Sequence, residues 1–192
     1  MNYLAHALLS EPYAHSVIGN VAGDLVKGRL EDHALHPRVA DGVRRHRRVD
    51  VLTDSHPHYR KLVASFGGAQ RRVAPIVLDV LFDHYLFRNW DRFSTFGRDA
   101  FIDNVYQVLS TPGAPLPPAL AERAPLWVEA NWLRAYRSMA GVEAVLGRLA
   151  MRARRKLPVL ETLAVAQDLD ATLEAGFLEV FADVQSRVDG FS

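Results

Sequence analysis

With 192 residues, 49% of them apolar and 23% charged, the chain has the length and balance of one soluble globular domain. No apolar run approaches the roughly 18 residues of a membrane span, and the absence of cysteine excludes disulfides, Cys-ligated zinc and a thiolate nucleophile. Net charge is only +1, and no nucleic-acid-binding motif is recognisable, so neither a membrane protein nor a nucleic-acid binder is expected.

The opening stretch MNYLAHALLSEPYAH has no basic start and no cleavage signature, so a cytoplasmic protein without a signal peptide is expected. Helical signals dominate from there on, and no period-2 strand run appears. His6 sits in the short apolar segment NYLAHALL. Residues 16–27 read as a helix closed by Gly28. Pro37 suits the first turn of a long helix that runs to about Asp54 and stops before Pro57. A short helix is expected from Pro57 to Gly67-Gly68, then a strongly apolar one over 72–90 with Pro75 in its first turn. Further helices are expected at 98–110, 119–137, 140–152 and 168–188, with the Pro-rich stretch 111–118 as a loop. The fold class is therefore all-α, a single-domain bundle of seven to nine helices over residues 1–192. Residues 1–92 would carry the chemistry, and 93–192 would serve as scaffold and partner surface.

Placement of the ionisable residues gives the reason for that division. All eight histidines fall between His6 and His84, interleaved with Asp24, Asp50, Asp54, Asp79 and Asp83. On the helix from 38, Val39, Val43, His46 and Asp50 share one stripe, which Asp54 extends. On the helix at 16–27, Val17, Val21 and Asp24 share another, so Asp24 is expected to be buried. Gly19 and Gly23 lie beside it and suit close approach by a helix or ligand, at about 1 kcal/mol each against alanine. The helix at 72–90 is apolar nearly all round and yet carries Asp79, Asp83 and His84. Ionisable groups at three core-facing places need mutual pairing or a metal, because an unpaired buried charge is very unfavourable. A helical bundle interior with such donors is a recurrent metal site. Oxygen and nitrogen donors without sulfur suit Mn²⁺, Mg²⁺ or Fe²⁺, with zinc admissible.

Two arginine clusters stand out, Arg44, Arg45, Arg47 and Arg48 in one, and Arg148, Arg152, Arg154, Arg155 and Lys156 in the other. Such clusters suit phosphate groups or an acidic protein. His15, His33, His36, His56 and His58 lie near turns or prolines and read as surface or supporting residues. There is no Gly-rich phosphate loop and no nucleophile elbow.

At MNYLAH, GNVAGDLVKG, HRRVDVLTD and RRVAPIVLDVLFDHYL the chain resembles the acyl carrier protein phosphodiesterases, closely over 1–92 and more loosely over 93–192. The resemblance implies hydrolysis of the phosphodiester between 4′-phosphopantetheine and a serine of holo acyl carrier protein, with a divalent cation, typically Mn²⁺. It also implies remote kinship to the all-α HD-type metal phosphohydrolases, although Asp83-His84 reverses that dyad's order. Together with the pattern of inward-facing ionisable residues, this makes Asp24, Asp50, Asp83 and His84 the expected ligands, then His6 and His46. Asp79 or Asp54 would orient water or accept a proton. Arg48 or Arg47 would steady the phosphate through forked hydrogen bonds, and Arg47 with Arg44 would bind substrate. Two other readings share the residues: an HD-type phosphohydrolase acting on nucleotides, and a non-catalytic carrier-protein-binding module with a structural metal.

Overall fold

The computed structural model describes residues 1–152 and 157–189. Of the basic cluster at 148–156, Arg154, Arg155 and Lys156 lie outside the described residues. Among the described residues the regular elements are all helical, as expected. They are α1 (Tyr3–Leu8), α2 (Ala14–Ala22), α3 (Pro37–Ser55), α4 (Pro57–Ala64), α5 (Gln70–Arg88), α6 (Arg98–Ser110), α7 (Pro118–Glu129), α8 (Met139–Arg152), α9 (Val159–Asp168) and α10 (Asp170–Asp189). Short 3₁₀ turns occupy Leu30–Asp32, Trp90–Arg92 and Trp132–Arg137. No described helix is long and apolar enough to cross a membrane.

The chain forms two compact units, and α3 begins in one and ends in the other. One unit gathers 1–2, 51–89 and the described residues from 135 onward. Its centre is α5, apolar nearly all round, with Val77, Leu78, Phe82, Tyr85 and Leu86 fully buried. Helices α4, α8, α9 and α10 pack on α5. Phe82 meets Tyr59 and Phe177 edge to face, with ring centres 5.8 and 5.2 Å away. Burial of each such side chain contributes roughly 1.5–3 kcal/mol.

The other unit holds 3–50 and 90–134. In it α1 packs on α2, α2 on α6, and α6 on α7. Tyr3, Trp127, Trp132 and Tyr106 form a run of aromatic contacts with ring centres 4.9 to 5.3 Å apart. Helices α2 and α3 touch backbone to backbone at Gly19 and Gly42. A Cβ on Gly19 would lie 2.2 Å from the Val39 carbonyl, and one on Gly42 2.8 Å from that of Ser16. Close approach of a second helix is what the glycine at 19 was expected to permit.

The helices depart from the sequence reading at several places, and α4 ends at Ala64, short of Gly67-Gly68. Helix α2 stops at Ala22, not 27: the N–H groups of Leu25 and Val26 both turn back to the Ala22 carbonyl, and beyond this turn Arg47 holds the carbonyls of Val26 and Gly28 and His33 that of Lys27. Helix α5 begins at Gln70, which moves Pro75 into its second turn. Helix α7 ends at Glu129, where Asn131 takes a left-handed conformation (φ 51°) that stops the helix, and a 3₁₀ segment follows. Helix α9 was not foreseen; Leu169 alone separates it from α10, which brings the α-helix count among the described residues to ten.

Candidate metal centre

Helix α3 presents Val39, Val43 and His46 on its buried stripe, and Asp50 follows one turn later at its half-exposed end. The i, i+4 spacing sets the last two side by side: His46 Nε2 lies 3.1 Å from Asp50 Oδ2. The other carboxylate oxygen, Oδ1, lies 3.1 Å from Nε2 of His6, which α1 supplies. The two imidazoles stack, ring centres 3.7 Å apart at an interplanar angle of 23°. One ligand atom from each of His6, His46 and Asp50 falls within 4.8 Å of the others, and among the described residues this is the one such group.

Surrounding contacts orient the His46 ring. His46 Nδ1 is 2.9 Å from the Asn20 carbonyl oxygen. A carbonyl only accepts, so Nδ1 carries a proton, and Nε2 is the nitrogen turned toward Asp50. The bed for this ring is Gly23: a Cβ there would lie 2.1 Å from His46 Cγ. His6 is 1% exposed, yet neither of its ring nitrogens makes a hydrogen bond among the described residues. Its contact with Asp50 has an ion pair's distance without hydrogen-bond alignment. A buried polar nitrogen left so is unfavourable unless something binds it.

Charge states agree with ligation. Burial pushes the His6 pKa down to about 4, against the pull of the Asp50 carboxylate, and His46 lowers it further. For Asp50 burial acts upward, but the imidazoles of His46 and His6 at its two oxygens outweigh it and hold the carboxyl well below the usual range. At neutral pH His6 is therefore neutral and Asp50 ionised, the forms that bind a metal. The orphaned His6 nitrogens and the oriented His46 fit a divalent cation bound by two imidazoles and a carboxylate.

Beside the cluster lies a cleft of about 230 Å³, lined by Gly23, Asp24, Val26, Lys27, Gly28, His46, Arg47 and Asp50. A larger cavity of about 690 Å³ in the same unit is lined mainly by apolar groups such as Val17, Phe93, Phe101 and Val108, and contains none of the three donors.

The sequence-expected residues divide as follows. His6, His46 and Asp50 come together. Asp24 is not on a buried helical stripe: it lies in the turn after α2, its side chain 54% exposed and 3.3 Å from Lys27 Nζ, on the lining of the cleft. The early end of α2 is the reason. Asp83 and His84 are buried in α5, in the other unit, where His84 Nδ1 lies 2.7 Å from the Tyr136 carbonyl oxygen. Asp79 lies 3.2 Å from the amino group of Met1. Asp54 is exposed at the end of α3, and its carbonyl accepts from Arg60. Arg44 is exposed and pairs with Asp41 at 2.6 Å; Arg48 is exposed; Arg47 is half-buried and bound to the carbonyls of Val26 and Gly28. Sequence reasoning missed the part of the Asn20 carbonyl and the placement of Lys27, since side-chain bonds to distant carbonyls leave no periodic signal; His33, read as a surface or supporting residue, holds the Lys27 carbonyl.

The fold and this cluster define an all-α protein with a candidate divalent-cation site beside a cleft of mixed charge. The chain belongs to the acyl carrier protein phosphodiesterase family, whose family model matches residues 1–184. Curated relatives bearing that name include those of Salmonella paratyphi A (strain ATCC 9150 / SARB42), Salmonella newport (strain SL254) and Salmonella enteritidis PT4 (strain P125109). Each is 38% identical over 178 residues, which cover 91% of this chain and 89% of the relative. Phosphodiesterases are hydrolases, and the chain is an enzyme of that class. No solved structure matches it.

Proposed function

We propose that this enzyme hydrolyses the phosphodiester between 4′-phosphopantetheine and a serine of holo acyl carrier protein in the cytoplasm. The products would be apo carrier protein and 4′-phosphopantetheine. The observation that carries the reading is the buried, unbonded imidazole of His6 facing Asp50 and His46 in a chain of this family. These three residues would hold a divalent cation, Mn²⁺ foremost and Mg²⁺ or Fe²⁺ next. Asp24, on the lining of the same cleft, is a further candidate ligand, and buried Asp83 and His84 remain candidates on α5. Asp54 and Asp79 are candidate proton acceptors, and Arg44, Arg47 and Arg48 candidate substrate contacts.

When bound, such a cation polarises a phosphoryl oxygen and lowers the pKa of its water from about 15.7 toward about 7. The residues supply the rest. Asp50 stays ionised and His6 neutral, so ligation at neutral pH displaces no proton from either. In the overall reaction a water oxygen becomes bonded to phosphorus, the bond from phosphorus to the serine oxygen breaks, and that oxygen gains a proton. Phosphopantetheine leaves with the phosphate. The remote HD-type kinship is part of the same proposal and agrees with an all-α site built of histidine and aspartate.

Mass spectrometry of holo carrier incubated with the protein tests the reading. Loss of the phosphopantetheine mass with Mn²⁺, and none with EDTA, is expected. An unchanged carrier across Mn²⁺, Mg²⁺ and Fe²⁺ would overturn it.

A further inference from the structure

We propose that the turn from Gly23 to Gly28 is the seat of the phosphoryl group, with Lys27 as the cation that meets a non-bridging oxygen. This inference rests on the cleft being a phosphodiester site. Between the end of α2 at Ala22 and the 3₁₀ turn at Leu30 the chain has no regular structure, yet it is firmly held. Arg47 donates to the carbonyls of Val26 and Gly28 at 2.9 and 2.8 Å, and His33 Nε2 lies 2.7 Å from that of Lys27. Three successive carbonyls are thus engaged by side chains.

The consequence lies on the other side of each peptide. In a planar trans peptide the N–H points opposite to the carbonyl. The N–H groups of Lys27, Gly28 and Arg29 are therefore turned away from the side chains that hold those carbonyls. Among the described residues none of the three donates a hydrogen bond to protein. Gly28 has φ +80°, a left-handed conformation that suits glycine. Lys27 and Gly28 line the cleft, and unpaired N–H groups of such residues suit an anion.

Lys27 adds a mobile charge to this frame. Its pair with Asp24, at 3.3 Å, is exposed at both ends (77% and 54%), and such pairs contribute little. Exchanging the Asp24 carboxylate for a phosphoryl oxygen is therefore nearly free of penalty. The cleft lining sets Lys27 and Arg47 against Asp24 and Asp50, a balance of zero in formal charge that a divalent cation would tip toward an anion. On this turn Arg47 holds the backbone, and Lys27 is the side chain that meets the phosphoryl group.

Calorimetric titration of the Mn²⁺-loaded protein with inorganic phosphate, together with KM for holo carrier, tests this on wild type, Lys27→Ala and Lys27→Arg. Phosphate affinity should fall about tenfold in Lys27→Ala and recover in Lys27→Arg. Mn²⁺ stoichiometry should be the same in all three, and KM should rise more than kcat falls. Wild type that binds no phosphate, or Lys27→Ala that binds it as tightly as wild type, would overturn the seat. Lys27-dependent phosphate binding by a protein that leaves holo carrier intact would instead keep the seat and sink the phosphodiesterase reading.

Discussion

A methyl group on Gly23 would fall 2.1 Å from Cγ of His46, so the turn after α2 is the surface on which that imidazole lies. The ring's far nitrogen is tied to Asn20, whose carbonyl belongs to the end of the same helix. Backbone on two sides therefore aims Nε2. Gly23→Ala should push the ring off this bed and weaken Mn²⁺ binding about 10- to 100-fold, as loss of ligand support does elsewhere. Metal titration against a chelating dye reads this directly; an unchanged affinity would show that the ring's seat does not govern ligation.

Asp50 meets both histidines, one with each carboxylate oxygen. Asp50→Asn keeps the shape and removes the charge. Bound metal should fall well below one equivalent, and turnover of holo carrier should drop by roughly a hundredfold or more. The far-ultraviolet circular dichroism should stay that of wild type, since Asp50 is partly exposed at the end of the buried stripe. Full metal occupancy in the variant would place the cation elsewhere.

Acid should destabilise the metal-free protein. His6 titrates at about 4 when folded and near 6.5 when unfolded, so between those values the unfolded chain holds a proton that the folded chain refuses. Stability therefore rises with pH across this window, by up to about 3 kcal/mol in total. Asp50, its carboxyl lowered in the fold, acts in the same direction below its ordinary 3.8: its contribution is present above that value and is lost as pH falls. Urea unfolding of EDTA-treated protein at pH 7 and pH 5 should give the lower midpoint at pH 5, and His6→Gln should narrow the gap. Equal midpoints for wild type would contradict the burial of a neutral His6.

An acidic carrier protein would be steered by exposed arginines such as Arg44 and Arg48. The rate on holo carrier at low substrate should fall as ionic strength rises. A flat profile would remove steering from the account and leave the metal centre untouched.

The sequence made α3 and its stripe legible, because a 3.6-residue period and a His46–Asp50 spacing of four need no tertiary knowledge. The all-α class, the buried character of α5 and the family were equally readable. Asp24 was misplaced for a local reason: the apolar pattern runs on past Ala22, while the helix closes there in a turn onto the Ala22 carbonyl, and Arg47 and His33 hold the chain beyond it. Helix α9 hid because a single residue divides it from α10. His6 ranked behind Asp83 and His84 because a short apolar segment carries little periodicity, and only tertiary folding sets its ring on that of His46. The anchors Asn20 and His33 act through bonds across 26 and 6 residues of chain, which no spacing rule encodes.

Diffraction from Mn²⁺-soaked crystals, collected to record the metal's anomalous signal, is the most direct test of the centre. The account predicts an anomalous peak at coordination distance, about 2.0–2.3 Å, from a ring nitrogen of His6, Nε2 of His46 and a carboxylate oxygen of Asp50. A fully occupied peak away from all three, with this cluster empty, would contradict it.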